Sequence, residues 1–205
     1  MFRIAVLVSG NGTNLQAIAD AVKTQENCEI YAVITDNPQA YALKRAEKEK
    51  IKTYILDKKI YRGQLSDEIL KILKNKVDLI ILAGYLSILK GQIIDEFKNR
   101  IINIHPSLIP SFCGKGMYGL NVHKAVIEYG VKVTGCTVHI VDGGTDTGPV
   151  IIQKTVNVEQ NMTPEKLQEK VLEFEHQSLT EAIKLFAENK IEIFGRKVII
   201  KEKEQ

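Results

Sequence analysis

FRIAVLVSGNGTNLQAIADAV, residues 2–22, opens the chain with three kinds of sequence in succession. Phe2 to Val8 is an apolar, β-rich run without alternation, as in a strand buried on both faces. Ser9-Gly10-Asn11-Gly12-Thr13-Asn14 is a glycine-rich turn, and LQAIADAV then reads as a helix. Buried strand, tight turn and helix in that order begin a parallel sheet covered by helices. The apolar part of the first run is too short for a signal peptide or a membrane span.

The alternation continues along the chain. EIYAVIT (29–35), KTYIL (52–56), VDLIILAG (77–84) and RIINIH (100–105) read as further strands, separated by helix-like stretches such as the Ala/Lys/Glu-rich segment 40–50. A glycine-rich segment, 112–119, precedes a helix near 120–129. Two β-like runs follow, VTGCTVHIV (133–141) and VIIQKTVNV (150–158), joined by DGGTDTG. Thr163-Pro164-Glu165 supplies an N-cap, a first-turn proline and an early acid. Leu167, Val171, Phe174, Ala182 and Phe186 then recur at helical spacing, which predicts one long amphipathic helix to about Glu188. IEIF and KVII make a closing strand pair, and a charged tail is counted from residue 196 to 205. The fold expected is α/β and Rossmann-like: a mainly parallel twisted sheet, helices on both faces and an antiparallel C-terminal portion. With no repeat, low-complexity stretch or linker, the expectation is a single domain over 1–205, its halves meeting at about residue 100.

Composition narrows the function classes. The chain has 205 residues, 44% hydrophobic and 26% charged, the values of an ordinary soluble globular protein. Net charge is +3 and no Lys/Arg run stands out, so neither a nucleic acid nor a membrane is demanded as partner, and a small anionic ligand stays open. Cys28, Cys113 and Cys136 are odd in number and lack C-x-x-C spacing. That pattern argues against a disulfide scaffold or a zinc site and suits a reducing cytoplasm.

The first turn admits three readings. Glycines leave amide N–H groups bare and the following helix N-terminus adds its dipole, so SGNGTN can hold a phosphate without any lysine. A dinucleotide fingerprint is the rival, with Asp36 at the end of the second strand as its acid. Leu15, however, occupies the place of the third glycine, which argues against a nucleotide-binding oxidoreductase. A ligand-free turn is the third. A monophosphate is the favoured ligand.

In NIHPSLIP (103–110), Asn103 and His105 lie two positions apart and therefore on one face of a strand, which Pro106 ends. Ligands bind at the carboxyl ends of parallel strands. A lone histidine there could equally cap the strand and bond a neighbour. DGGTDTGP (142–149) offers two aspartates. Asp142, before Gly143, fits a turn former, whereas Asp146 is placed to act on the histidine. A carboxylate beside an imidazole favours the cation, so a raised His105 pKa is expected. An amide to hold an oxyanion, a histidine to handle protons and an aspartate to tune it suit acyl-type transfer between nitrogens.

SGNGTNLQAI, LAGYL, NIHPSLIP, the G-x-T-V-H of GCTVH and the D-x-G-P of DTGP stand in the order of the folate-dependent formyltransferases that act on glycinamide ribonucleotide. The chain resembles that family from Phe2 to about Phe194. The resemblance implies the formyltransferase fold and transfer of a formyl group from 10-formyltetrahydrofolate, a cosubstrate, to the substrate amine in purine biosynthesis, with no metal. Residue by residue, it implies that Asn103 binds the formyl oxygen, His105 donates a proton and Asp146 raises the histidine pKa. Gly12, Thr13 and Asn14 would take the phosphate and Glu175 the ribose, although by periodicity alone Glu175 could lie on a solvated helix face. Leu86, Ser87, Ile88 and Leu89, with the loop 141–146 including Val141, would form the folate pocket, joined by Arg62 and Asn103.

Two departures stand out. Ser87 replaces an arginine found in many relatives, and FCGKGMYGLNVH (112–123) is longer than the common form. The implied rivals are methionyl-tRNA formyltransferase and formyltetrahydrofolate hydrolase. Each carries an additional domain that a chain starting at the first catalytic strand and ending after the last is expected to lack. Small-molecule partners, a cytoplasmic location and a monomer or homodimer complete the expectations.

Overall fold

The computed structural model describes residues 1–201. The end of the charged tail, 202–205, lies outside the described residues. Seven strands form one sheet: β1 (Phe2–Val8), β2 (Cys28–Thr35), β3 (Thr53–Ile55), β4 (Leu79–Leu82), β5 (Ile101–His105), β6 (Val133–Ile140) and β7 (Val150–Asn157). Their order is β3-β2-β1-β4-β5-β6-β7. The pairs β1–β2, β1–β4, β2–β3 and β4–β5 are parallel, and β6–β7 is antiparallel. The expected parallel sheet with an antiparallel C-terminal portion is the fold observed. The closing strand pair expected from IEIF and KVII is a separate antiparallel hairpin, β8 (Ile191–Phe194) and β9 (Lys197–Ile200).

The chain divides into two compact units, one from Met1 to Asn103 and one from Ile104 onward, so the division falls inside β5. In the first unit Ile4 to Val8, Ala32 to Ile34 and Leu79 to Ile81 are all buried, as unalternating strands require. Helices α1 (Thr13–Val22), α2 (Ala42–Lys48), α3 (Lys58–Tyr61), α4 (Leu65–Leu73) and α5 (Gln92–Glu96) fill the connections. On α4, Leu65, Ile69, Leu70 and Leu73 recur at helical spacing and are buried, while Asp67 and Glu68 sit in the first turn, where the helix dipole favours acids. The fourth strand ends before its apolar run does, where Gly84 turns the chain at φ +71°.

In the second unit α6 (Leu120–Tyr129) stops at Gly130, and α7 spans Pro164–Ala187. The hydroxyl of Thr163 accepts from the Lys166 amide at 3.3 Å, and proline follows in the first turn, the start the sequence indicates. The buried stripe of α7 is Leu167, Val171, Glu175, Ser178, Leu179, Ala182 and Ile183. Phe174, expected on the stripe, is only half-buried because 100° per residue puts it at the stripe's margin, and Phe186, which lies between Ala182 and Ile183 around the helix, is half-buried in the last turn. Each fully buried Leu or Val on this face stabilises the docked helix by roughly 1.5–3 kcal/mol.

Candidate active site

The glycine turn of the first unit is built by two constraints. Gly12 caps α1 at φ +76°, and a Cβ there would stand 2.7 Å from the Cβ of Ala42. Only glycine satisfies both the backbone and the close approach of α2. No side chain caps the helix at Gly12, Thr13 is half-buried and Asn14 is buried. The turn also has a cation that local sequence does not reveal. From α2, Arg45 donates through Nε to the Asn11 carbonyl at 2.9 Å and through Nη2 to Asn11 Oδ1 at 3.1 Å. The turn thus gains a guanidinium from 34 residues away.

The residues expected to hold folate in this unit are placed differently from one another. Leu86 and Ile88 are 54% and 70% exposed, whereas Leu89 is buried. Ser87 turns its hydroxyl inward and donates to Asp36 Oδ2 at 2.5 Å. Arg62 is exposed in the short 3₁₀ turn after α3, its Nε donating to the Lys59 carbonyl at 3.3 Å. Asn103, half-buried, sits opposite Leu82 in the ladder of β4 with β5.

The chemistry of the second unit gathers around Asp146. His105, the last residue of β5, is 4% exposed, and its Nε2 donates to the Phe112 carbonyl at 2.9 Å. In the neutral ring that bond places the proton on Nε2 and leaves Nδ1 unprotonated, 3.7 Å from Asp146 Oδ2. On the other side of the carboxylate, His139 Nε2 lies 3.6 Å from Oδ1, while its Nδ1 donates to the Ile140 carbonyl at 2.8 Å. The Gly114 amide donates to Asp146 Oδ2 at 2.9 Å. Asp146 itself sits in the left-handed region, φ +56°, the kind of backbone strain that surrounding contacts must hold. Two imidazole nitrogens and one carboxylate make a place where an arriving proton is stabilised.

The pKa of His105 departs from expectation. It is held below the ordinary value, not raised. Burial is the main cause; the Phe112 carbonyl and the Asp146 charge push upward but are outweighed, and His139 pushes down. At 3.7 Å the carboxylate is beyond hydrogen-bond reach, which limits its effect. For Asp146 itself burial works upward, yet His139, the bond from the Gly114 amide and the nearby His105 hold the acid below its usual range.

His139 is a neighbour of Asp146 that the motif alone does not single out, although GCTVH contains it. The motif alternates along β6. Gly135 is required because a Cβ would fall 1.9 Å from the Lys154 carbonyl oxygen. The Thr137 hydroxyl donates to the Ser107 carbonyl at 2.6 Å and accepts from the Ile109 amide at 3.1 Å, holding the NIHPSLIP turn. His139, two residues on, reaches Asp146. Asp142 is the turn residue expected: its Oδ1 accepts from the Gly144 amide at 3.0 Å and the Thr147 hydroxyl at 2.5 Å. Val141 is half-buried just past β6. Glu175 lies within the buried stripe of α7, not on a solvated face. Its charge adds to burial in pushing the Cys136 thiol up. Among the described residues no group of three or more His, Cys, Asp or Glu could hold a metal ion.

Residues 2–183 match the model of the formyl transferase family. Phosphoribosylglycinamide formyltransferase of Bacillus subtilis is 36% identical over 189 residues, 90% of this chain and 94% of that protein. The crystal structure of glycinamide ribonucleotide transformylase 1 from Symbiobacterium toebii superposes with a TM-score of 0.92 at 42% identity, covering 98% of this chain and 95% of that one. The trifunctional purine biosynthetic protein adenosine-3 of Gallus gallus is 39% identical over 93% of this chain, which spans only 19% of that longer relative. With its glycine turn, NIHPSLIP strand and Asp146 loop in the matched region, this chain belongs to the formyl transferase family.

Proposed function

We propose that the protein transfers a formyl group from 10-formyltetrahydrofolate to the amine of glycinamide ribonucleotide, in purine biosynthesis. The observation that carries this reading is the Asp146 carboxylate set against His105 Nδ1 and His139 Nε2, together with full-length relatives that bear this activity's name. The substrate amine attacks the formyl carbon, and the carbonyl electron pair moves onto oxygen. Asn103, on the same face of β5 as His105, donates its amide N–H to that oxyanion. Buried and neutral at rest, His105 takes the amine proton at Nδ1, and Asp146 stabilises the imidazolium. The oxyanion then collapses, the bond from carbon to the folate nitrogen breaks, and His105 returns the proton to that nitrogen. The products are the formylated amide and tetrahydrofolate. The bond from Nε2 to Phe112 keeps the working nitrogen at Nδ1 throughout.

Binding divides among the remaining residues. The substrate phosphate takes the amides of Gly12, Thr13 and Asn14 at the start of α1, with Arg45 adding charge, and Glu175 takes ribose hydroxyls. The exposed side chains of Leu86 and Ile88 give the folate ring apolar contact, with Ser87, Leu89 and Val141 shaping that contact and Arg62 meeting a folate carboxylate. No described helix is long and apolar enough to cross a membrane. The three thiols are free, which suits a reducing cytoplasm.

The test is the loss of 10-formyltetrahydrofolate absorbance on mixing it with pure protein. Consumption that requires glycinamide ribonucleotide and matches it mole for mole is expected. Folate hydrolysis without an amine, or formylation of methionyl-tRNA in its place, would overturn the assignment in favour of the hydrolase or the tRNA enzyme.

A further inference from the structure

Residues 83–90 form neither helix nor strand, yet the segment is pinned by buried side chains from other elements. The Leu86 amide donates to Ser9 Oγ at 2.8 Å, and the Lys90 amide donates to Ser66 Oγ at 3.0 Å. Between these pins Ser87 donates to Asp36 Oδ2 at 2.5 Å, across 51 residues of chain. Asp36 ends in full burial, 0% exposed, with the Lys58 ammonium 3.7 Å from the same oxygen. Its Oδ1 and the nearby Tyr85 hydroxyl are both buried without a hydrogen-bond partner. Burial comes first and the Asp36 charge second in pushing that phenol's pKa up.

A buried carboxylate with one oxygen unpaired is costly, and an apolar residue at that place would pack more cheaply. What the carboxylate does accomplish is visible in its partner's neighbours. With Ser87 drawn inward, Leu86 and Ile88 on either side are turned out to solvent.

We propose that Asp36 is a positioning residue for the formyl donor. Acting through Ser87, it sets the backbone of Leu86 to Leu89, and so pre-organises the two apolar side chains that receive the folate ring, without touching either substrate. This rests on the formyl-transfer reading given above. It explains what Ser87 does in place of the arginine of many relatives: the hydroxyl faces the protein, not the ligand.

Two measurements on Ser87→Ala, Asp36→Ala, the double variant and Ser87→Thr test it: steady-state kinetics, and binding of a stable folate analogue followed without turnover. Loss of the tie should raise the KM for 10-formyltetrahydrofolate and the Kd of the analogue about tenfold in either alanine variant. The KM for glycinamide ribonucleotide should stay within about twofold, and the double variant should be no worse than the poorer single one. Ser87→Thr, which keeps the hydroxyl, should restore folate affinity. Analogue binding unchanged in Ser87→Ala would overturn the inference alone. Equal loss for both substrates with a lowered Tm would overturn it too, by showing a merely structural role. A wild type that binds the analogue but transfers no formyl group would refute the formyl-transfer reading, and with it the donor-specific role.

Discussion

His105 Nδ1 faces Asp146 Oδ2 at 3.7 Å while the other ring nitrogen is committed to the Phe112 carbonyl. In the neutral ring a lone pair therefore meets a carboxylate, and neither can donate. A proton arriving at Nδ1 converts that contact into a charge-assisted attraction. His139, on the opposite oxygen, offers the carboxylate a second such contact. This geometry supports a histidine that rests neutral and takes up a proton during turnover.

The pH profile carries the sign of that relationship. With the folded-state pKa of His105 below its ordinary value, the neutral form prevails at pH 7 and is lost only as the pH falls. The acidic limb of kcat/KM should therefore have its midpoint below about 6.5. Rates measured between about pH 5 and 8 decide this, and a midpoint above the unperturbed value would contradict it.

His123 on α6 makes acid stability a second readout. It is 1% exposed, its Nδ1 has no hydrogen-bond partner, and burial, followed by the nearby His105, holds its pKa down to about 4. Because the folded pKa lies below the unfolded one, the unfolded chain binds the proton first. Stability is then full above about 6.5 and is lost as the pH falls toward 4, by roughly 3 kcal/mol at most. Denaturant titrations of wild type and His123→Asn should show a shallower acid loss in the variant; parallel curves would be the contrary result.

Gly12→Ala tests the turn. The new Cβ would meet Ala42 at 2.7 Å in a backbone already at φ +76°. A loss of about 1–3 kcal/mol in stability is expected, with weaker binding of glycinamide ribonucleotide and little change for folate. Unaltered substrate affinity in a folded variant would place the phosphate elsewhere.

How much was legible beforehand depended on whether the signal was local. FRIAVLV announces β1 because a doubly buried strand needs an unbroken apolar run, and Thr163-Pro164 announces α7 because capping is a matter of adjacent residues. Asn103 and His105 could be paired through the period of two in a strand. Arg45 and His139 could not be assigned that way, since their partners Asn11 and Asp146 come from other elements. The sign of the His105 shift is hidden for a related reason: charge proximity is readable from a motif, but the burial that outweighs it belongs to the folded chain.

The most direct test of the account is steady-state kinetics on Asp146→Asn beside Asp142→Asn. Removing the Asp146 charge leaves an imidazolium at Nδ1 unsupported, so kcat should fall on the order of a hundredfold while the KM for glycinamide ribonucleotide changes little. Asp142 uses only Oδ1, which accepts from Gly144 and Thr147, and asparagine keeps a carbonyl oxygen there, so that variant should retain most activity. Near-normal turnover in Asp146→Asn, or collapse confined to Asp142→Asn, would contradict the assignment of Asp146 as the carboxylate that supports His105.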